Sequence, residues 1–293
     1  MKSIHIALFV LVVLSVAAAD PLQDLSRREI SSSGEREVAV TIDVSFGTLH
    51  ISKGVKEKIA IVEYEEDFED DERLDFSYRV NEGKGKLRIE SKDRRRSKKR
   101  DGHGRDSDRR DAGKKWYMQF TPSIPLSFNI ELGAGKGIID LTGMHVQALT
   151  LSSGASSAEL ICEKPNPIPL EKFVIESGVS KFSGQNLCNT NFRKLKFEGG
   201  VGAYKLDFGG KLQQSAEVDI EVGLGAVTII IPDEVPARVV YDDSWLSSFD
   251  IDDGFVKTKK GVYETPSYAD SDKRLTVKVE SGLGSVKVRR RDF

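Results

Sequence analysis

The sequence predicts an all-β protein: a single-domain β-solenoid, a β-helix-like stack of coils of about 22 residues with irregular coils at its N-terminal end. Three observations carry this. A corner recurs in which an apolar residue stands between two small ones: Ser45-Phe46-Gly47, Gly133-Ala134-Gly135, Gly154-Ala155-Ser156, Gly178-Val179-Ser180, Gly200-Val201-Gly202, Gly223-Leu224-Gly225 and Gly282-Leu283-Gly284, with Trp245-Leu246-Ser247 as a variant. From Gly135 to Ser247 the last residues of successive corners are 21, 24, 22, 23 and 22 residues apart. On both sides of each corner apolar residues alternate with polar ones, as in Val218 and Ile220 before Gly225 and Val227 and Ile229 after it. That is the period of a half-buried strand. One bent hairpin cannot bury its own apolar face, but stacked copies can. The small residues let the backbone turn tightly, and the apolar middle residue is expected to point into the core.

Taken in order, Met1 to Ala19 reads as a secretory signal peptide (1–19): Lys2, an apolar run from Ile4 to Val16, and Ala17-Ala18-Ala19 as a small-residue cleavage site. The apolar run is too short for a comfortable membrane span, so no transmembrane segment is expected after cleavage. Residues 20–36 are polar and aperiodic and read as a disordered leader. The solenoid domain is expected over 37–293, with its first coil at Glu37 to Ser52. An interruption follows, in which Lys58–Tyr64, Leu74–Val80, Leu87–Ser91 and Trp116–Phe120 alternate as strands of wider coils or of a small sheet capping one end.

Two charged segments lie within this interruption. Glu63 to Arg73 holds eight acidic residues and one basic residue. Residues 92–115 hold twelve Lys or Arg, five Asp and nothing apolar larger than Ala112, the composition of a disordered charged loop. The regular repeats begin at Phe128. Three copies depart from the pattern: Gly137 and Gly184 occupy inward positions, and Asp242 would point inward unless a slip or bulge intervenes. Residues 253–273 form an insertion whose Phe255, Tyr263 and Tyr268 are expected to cover the end of the core. The last coil, Arg274 to Arg289, is expected to close the stack.

Composition excludes several classes. The net charge of −2 favours neither nucleic acid nor an acidic substrate, and the basic loop lacks the interleaved aromatics of a single-strand binder. Gly154-Ala155-Ser156 resembles a nucleophile elbow, but it lies in register with the corners and lacks the final glycine. Asp250 to Gly254 has the wrong spacing for an EF-hand. His5, His50, His103 and His145 form no ligand pair. No catalytic residue and no cofactor is therefore assigned. Cys162 and Cys188 lie six and eight residues past their corners. Taken literally that offset is too long for a disulfide, but the extra residues around Gly184 can restore register. A Cys162–Cys188 bridge is expected, with two buried thiols as the alternative.

The outward position four residues before each corner holds an acid in most coils. Glu176, Glu198, Glu221 and Asp243 are expected as consecutive rungs of a ladder. Like charges so placed repel, and a bound cation, a basic segment or neighbouring lysines such as Lys196 and Lys205 would relieve them.

The stretch from Glu221 to Val239, with Gly223-Leu224-Gly225 at its centre, resembles the C-terminal domain of LiaF-type cell-wall-active antibiotic response proteins and the related toast-rack adhesin-like domains. Gly254-Phe255, Tyr263, Pro266, Tyr268 and the run from Arg274 to Val288 match the same pattern. The resemblance covers roughly Phe128 to Arg291. It implies a β-solenoid of bacterial origin working at the cell envelope, and it carries no catalytic residues across. LiaF-type proteins carry transmembrane helices and restrain a sensor kinase; no such helices are expected here, which argues against kinase regulation. The reading is an exported, non-enzymatic, adhesin-like interaction module, periplasmic, secreted or on the cell surface. Its expected partner is an envelope protein or polysaccharide. A carbohydrate-active β-helix enzyme and an envelope-stress sensor partner are the alternatives.

Overall fold

The computed structural model describes residues 25–65, 72–93, 114–242 and 246–292. The signal segment, residues 20–24 of the leader, acidic residues 66–71, basic-loop residues 94–113, Asp243 and Trp245 lie outside them. The N-terminal third contains β1 (Leu25–Ser31), β2 (Glu37–Lys53), β3 (Lys58–Glu65), β4 (Glu72–Asn81), β5 (Lys84–Asp93) and β6 (Lys115–Phe120). The repeats follow as β7 (Pro125–Asp140), β8 (His145–Ile161), β9 (Lys172–Gln185), β10 (Lys194–Asp207) and β11 (Ala216–Pro232). The C-terminal strands are β12 (Ala237–Tyr241), β13 (Ser247–Ile251), β14 (Val256–Lys259), β15 (Val262–Glu264) and β16 (Leu275–Arg291).

β2, β7 to β11 and β16 each run through a corner as one bent strand, and neighbours pair in parallel with corner on corner. Phe46 lies beside Ala134, Val201 between Val179 and Leu224, and Leu224 beside Leu283. Side chains seven, five and three residues before the corner's last residue, and two and four after it, fill the interior. Val218, Ile220, Val227 and Ile229 are at most 1% exposed. A column of rings occupies the middle coils, with Phe197 5.4 Å from Phe182 and 5.2 Å from Tyr204. The predicted β-solenoid is the observed fold.

The corner residues themselves point the other way from the expectation. Phe46, Val179, Val201, Leu224 and Leu283 are 36%, 68%, 45%, 46% and 48% exposed. The reason is parity. The inward positions three before and two after the reference residue are five apart, so strict alternation cannot bury both. The corner absorbs the odd residue by turning its small first residue and its apolar middle residue outward together. Leu224→Asp is therefore expected to leave the melting temperature within the scatter of ordinary surface substitutions, about 0.5 kcal/mol in stability. A large drop in thermal denaturation would put Leu224 back inside.

In the middle coils the third side is stapled by amides rather than by a strand. Asn166 donates from Nδ2 to the carbonyls of Val146 and Thr190 and accepts from the Val146 N–H. One coil on, Asn189 donates to the Cys162 carbonyl at 2.9 Å and accepts from the Lys211 N–H at 2.8 Å. Asn186 and Asn191 take the left-handed conformation (φ 55° and 61°) on either side of the short 3-10 turn Leu187–Thr190. Asparagine tolerates that conformation better than most residues.

At the N-terminal end, β5 pairs with the first half of β2 and β6 with its second half, so together they form one split coil. β4 adds antiparallel to β5, and β3 adds antiparallel to β6. The expected disordered leader is corrected from Leu25 onward: β1 pairs with β3 along its length. The open edge of β3 supplies backbone partners, Ile30 is buried, and Arg27 and Lys58 pair with Glu29.

Glu35 closes the following turn. It accepts hydrogen bonds from the Ser33 N–H and hydroxyl, the Ser32 hydroxyl and the Tyr78 hydroxyl, the last at 2.7 Å. Burial alone would raise its pKa, but the bonds from Ser33 and Tyr78 outweigh this and hold it at about 2, below its ordinary 4.5. A carboxylate with a depressed folded pKa adds stability at neutral pH, and that stability is lost as pH falls from 4.5 through about 2. The melting temperature of Glu35→Gln is expected to fall less steeply than wild type over that window. Parallel melting curves would remove Glu35 from the acid response.

At the C-terminal end, β16 does not close the stack. It lies between β11 and the pair β12 and β13, in register with β11 from Leu275 to Arg291. Both β11 and β16 have unbroken Gly-Leu-Gly corners and match over their full length. The variant copy carries the expected slip. Tyr241 lies beside Val279 and Ser247 beside Gly284, six residues against five, and Asp242 is exposed. An irregular copy makes a poor template for a further coil and a good end. There β15 adds antiparallel to β12, and β14 antiparallel to β15. Phe255 and Tyr268 are buried, and Phe249 sits between Tyr241 and Tyr263, so the aromatics cover this end as expected.

Candidate functional surface

The corner divides the outer surface into two flanks with a ridge between them. The ridge is the exposed apolar row just described. On the flank before it, Glu90, Asp43, Glu131, Ser152, Glu176, Glu198, Glu221 and Glu280 are aligned by the parallel register. The register sets these side chains in one row, and because β16 lies against β11, the rung beside Glu221 is Glu280. Asp243 lies outside the described residues.

Rungs about 4.8 Å apart repel, and the flank shows how this is relieved. Ser152 donates to Glu176 at 2.8 Å. Lys196 pairs with Glu198, and its pKa is raised first by that contact and further by Glu221 and Glu176. Burial and the charge of Glu90 raise Asp43. Lys205 takes no part, because it stands on the other flank. Among the described residues no three His, Cys, Asp or Glu side chains converge as a metal ion requires.

On the flank after the ridge the charge is reversed. Lys136, Lys181, Lys205 and Lys287 are exposed there, whereas the acids at outward positions of β7, β8 and β10, Asp140, Glu159 and Asp207, are half-buried or buried. His50 stacks on Tyr117 at 5.0 Å, and its pKa is lowered by burial and by Lys136 and Lys115.

The residues weighed for chemistry in the sequence do not assemble into a centre. Ser156 sits at a corner beside Gly135, and its hydroxyl has no hydrogen-bond partner among the described residues. Asp250 and Asp252 both pair with Arg289, the second at 3.3 Å. Cys162 and Cys188 are buried free thiols, so the expected bridge is not formed. Ile161 pairs with Gln185, which places Cys162 level with Asn186 and two residues short of Cys188, and the turn at Leu187 does not restore register. Burial, chiefly, pushes the Cys162 thiol up to about 12 and raises Cys188 further, so both are poor nucleophiles. Sequence reasoning missed the exposed ridge and the asparagine staples. The Asn166-to-Asn189 spacing of 23 residues, one coil, was the available signal.

Comparison with known proteins adds the family. A candidate cell adhesion protein from Clostridium sporogenes superposes with a TM-score of 0.45 at 15% identity, covering 92% of this chain and 99% of the other. A candidate adhesin from Bacteroides fragilis superposes with a TM-score of 0.36 at 12% identity, with coverage of 92% and 99%. Among curated proteins none matches the chain. No helix among the described residues is long and apolar enough to cross a membrane. The family described as the N-terminal domain of toast_rack, DUF2154, matches residues 20–183 and 165–230, well over half of the sequence, and the chain belongs to that family.

Proposed function

We propose that the chain is an exported, non-enzymatic, adhesin-like interaction domain that works at the bacterial cell envelope, binding an envelope protein or polysaccharide. The observation that carries this reading is the outer surface. Seven parallel strands present one unbroken apolar ridge between an acidic and a lysine-bearing flank. Exposed apolar rows of this length mark interaction surfaces more often than they are tolerated without a use. Export rests on the Lys2-to-Ala19 segment and remains tied to it.

Fractionation of a bacterium expressing the tagged chain tests location, with the protein expected outside the cytoplasmic membrane and a cytosolic pool overturning export. Co-sedimentation of the purified protein with isolated envelopes tests binding. Saturable capture is expected, at least about tenfold weaker for Glu131→Lys/Glu221→Lys. Capture that both variant and wild type share would remove the outer flank from the interaction.

A further inference from the structure

Beside the apolar ridge runs a trough. Its floor is the first glycine of each corner, from Gly133 to Gly282, and its far wall is the acidic row. Two hollows of about 790 and 610 Å³ meet at Glu198 and Gly199, so the trough is continuous. Its floor has to stay empty of side chains. A Cβ on any of Gly133, Gly154, Gly178, Gly200, Gly223 or Gly282 would stand 2.4–3.1 Å from the carbonyl oxygen of the residue stacked before it. On β7, β9, β10 and β16 the face therefore reads, across the strand, acid, empty floor, apolar ridge, lysine; β11 lacks the lysine, β8 has Ser152 and Glu159 in the charged places, and β2 has Ser45 on the floor.

We propose that this face is a self-association surface on which two copies of the chain pack ridge into trough about a two-fold axis parallel to the stacking direction. A two-fold contact must be self-complementary, and this arrangement is. Rotation about that axis carries the ridge of one copy over the trough of the other, and the reverse, so Val179, Val201, Leu224 and Leu283 are covered twice over. The same rotation carries the acidic row of one copy to the lysine flank of the other. Glu131, Glu176, Glu198 and Glu280 then face the level of Lys136, Lys181, Lys205 and Lys287. The other face-to-face two-fold, perpendicular to the strand stack, would lay acid on acid and is disfavoured by charge.

Size sets the strength. Seven rungs at about 4.8 Å and roughly 20 Å from acid to lysine cover ~600 Å² per copy, or ~1,200 Å² in all, the lower end of specific interfaces. The dimer is reversible. This inference deepens the interaction role by naming what covers the ridge, and it does not depend on export or on the envelope partner.

Sedimentation velocity of the purified chain, up to roughly 1 mM, is expected to show a monomer–dimer equilibrium that weakens with salt. Glu176→Lys/Glu198→Lys and Lys181→Glu/Lys205→Glu are each expected to associate at least tenfold more weakly, because each sets like charges opposite one another at two levels of the stack. Mixed in equal amounts, the two variants are expected to form a heterodimer. Circular dichroism checks that both are folded. A wild type that stays monomeric overturns the proposal, as does a dimer indifferent to both variants or a mixture that fails to associate. A monomeric wild type that instead binds a lysine-rich peptide on its acidic row assigns the surface to a cationic partner and also overturns it.

Discussion

Gly225→Ala is expected to destabilise the domain by about 3–5 kcal/mol, enough to unfold much of it at ambient temperature. Gly225 has φ 153°, and a Cβ there would stand 2.0 Å from the carbonyl oxygen of Gly202, with further backbone atoms at 3.0 and 3.1 Å. The obstacle is backbone, so no rotamer relieves it. Moving the strand away is no remedy either, because β16 is paired with β11 on the other side, with Gly284 beside Gly225. β8 and β9 show what a side chain costs at this position. With Ser156 and Ser180 there, their pairing lapses between Ser153/Ser177 and Ser157/Lys181. Gly34→Ala is the control: it has φ 98° but nothing within 4 Å, so only the backbone preference is lost, about 1 kcal/mol. Chemical denaturation of both variants separates the two effects. Equal losses would mean that backbone conformation, and not coil-to-coil contact, requires the corner glycine.

Asn189→Ala is expected to cost about 2–4 kcal/mol. The side chain is 4% exposed and joins three coils, donating to the Cys162 carbonyl and accepting from the Lys211 N–H. Truncation leaves the buried Cys162 carbonyl without this partner, at about 1–3 kcal/mol, and also removes the acceptor of the part-buried Lys211 N–H. Asn189→Asp is expected to be at least as harmful, since it keeps the acceptor for Lys211 but sets a carboxylate oxygen against the Cys162 carbonyl. Urea denaturation of the two variants is the measurement. A loss below about 1 kcal/mol for alanine would show that water replaces the amide there.

The stack itself was legible because strand alternation and the coil period say the same thing at every copy. The slip before Ser247 was legible too, from Asp242 falling on an inward position. The direction of Leu224 was written in the same numbers but was read from chemistry alone. Inward residues at Ile220 and Val227 are seven apart, an odd interval that strict alternation cannot span. That parity requires residues of the corner to turn outward, whatever their polarity.

The leader failed for a different reason. Leu25 to Ser31 has little apolar alternation, and its strand form comes from the free edge of β3, a tertiary cause invisible in a local window. The place of β16 also depends on a comparison between distant segments. Only the match of the Gly223-Leu224-Gly225 and Gly282-Leu283-Gly284 corners, set against the irregular Trp245 copy, points to it. For the candidate surface, the acidic row was readable as a ladder, but its last rung followed chain order and so named Asp243 in place of Glu280. The lysine flank and the trough needed the corner geometry.

The position of β16 has a consequence for synthesis. β11 leaves the ribosome before β12 to β15, yet its partner on that side is β16, which follows all of them, and β12 and β13 have that same strand as their inner neighbour. The solenoid therefore cannot be completed by simply winding one coil onto the next as the chain emerges. Until β16 arrives, the edge of β11 is bare and the terminal aromatics have no stack to close. A chain cut short before residue 275 loses the joint between its body and its end piece, and its exposed strand edge marks it for capture or degradation.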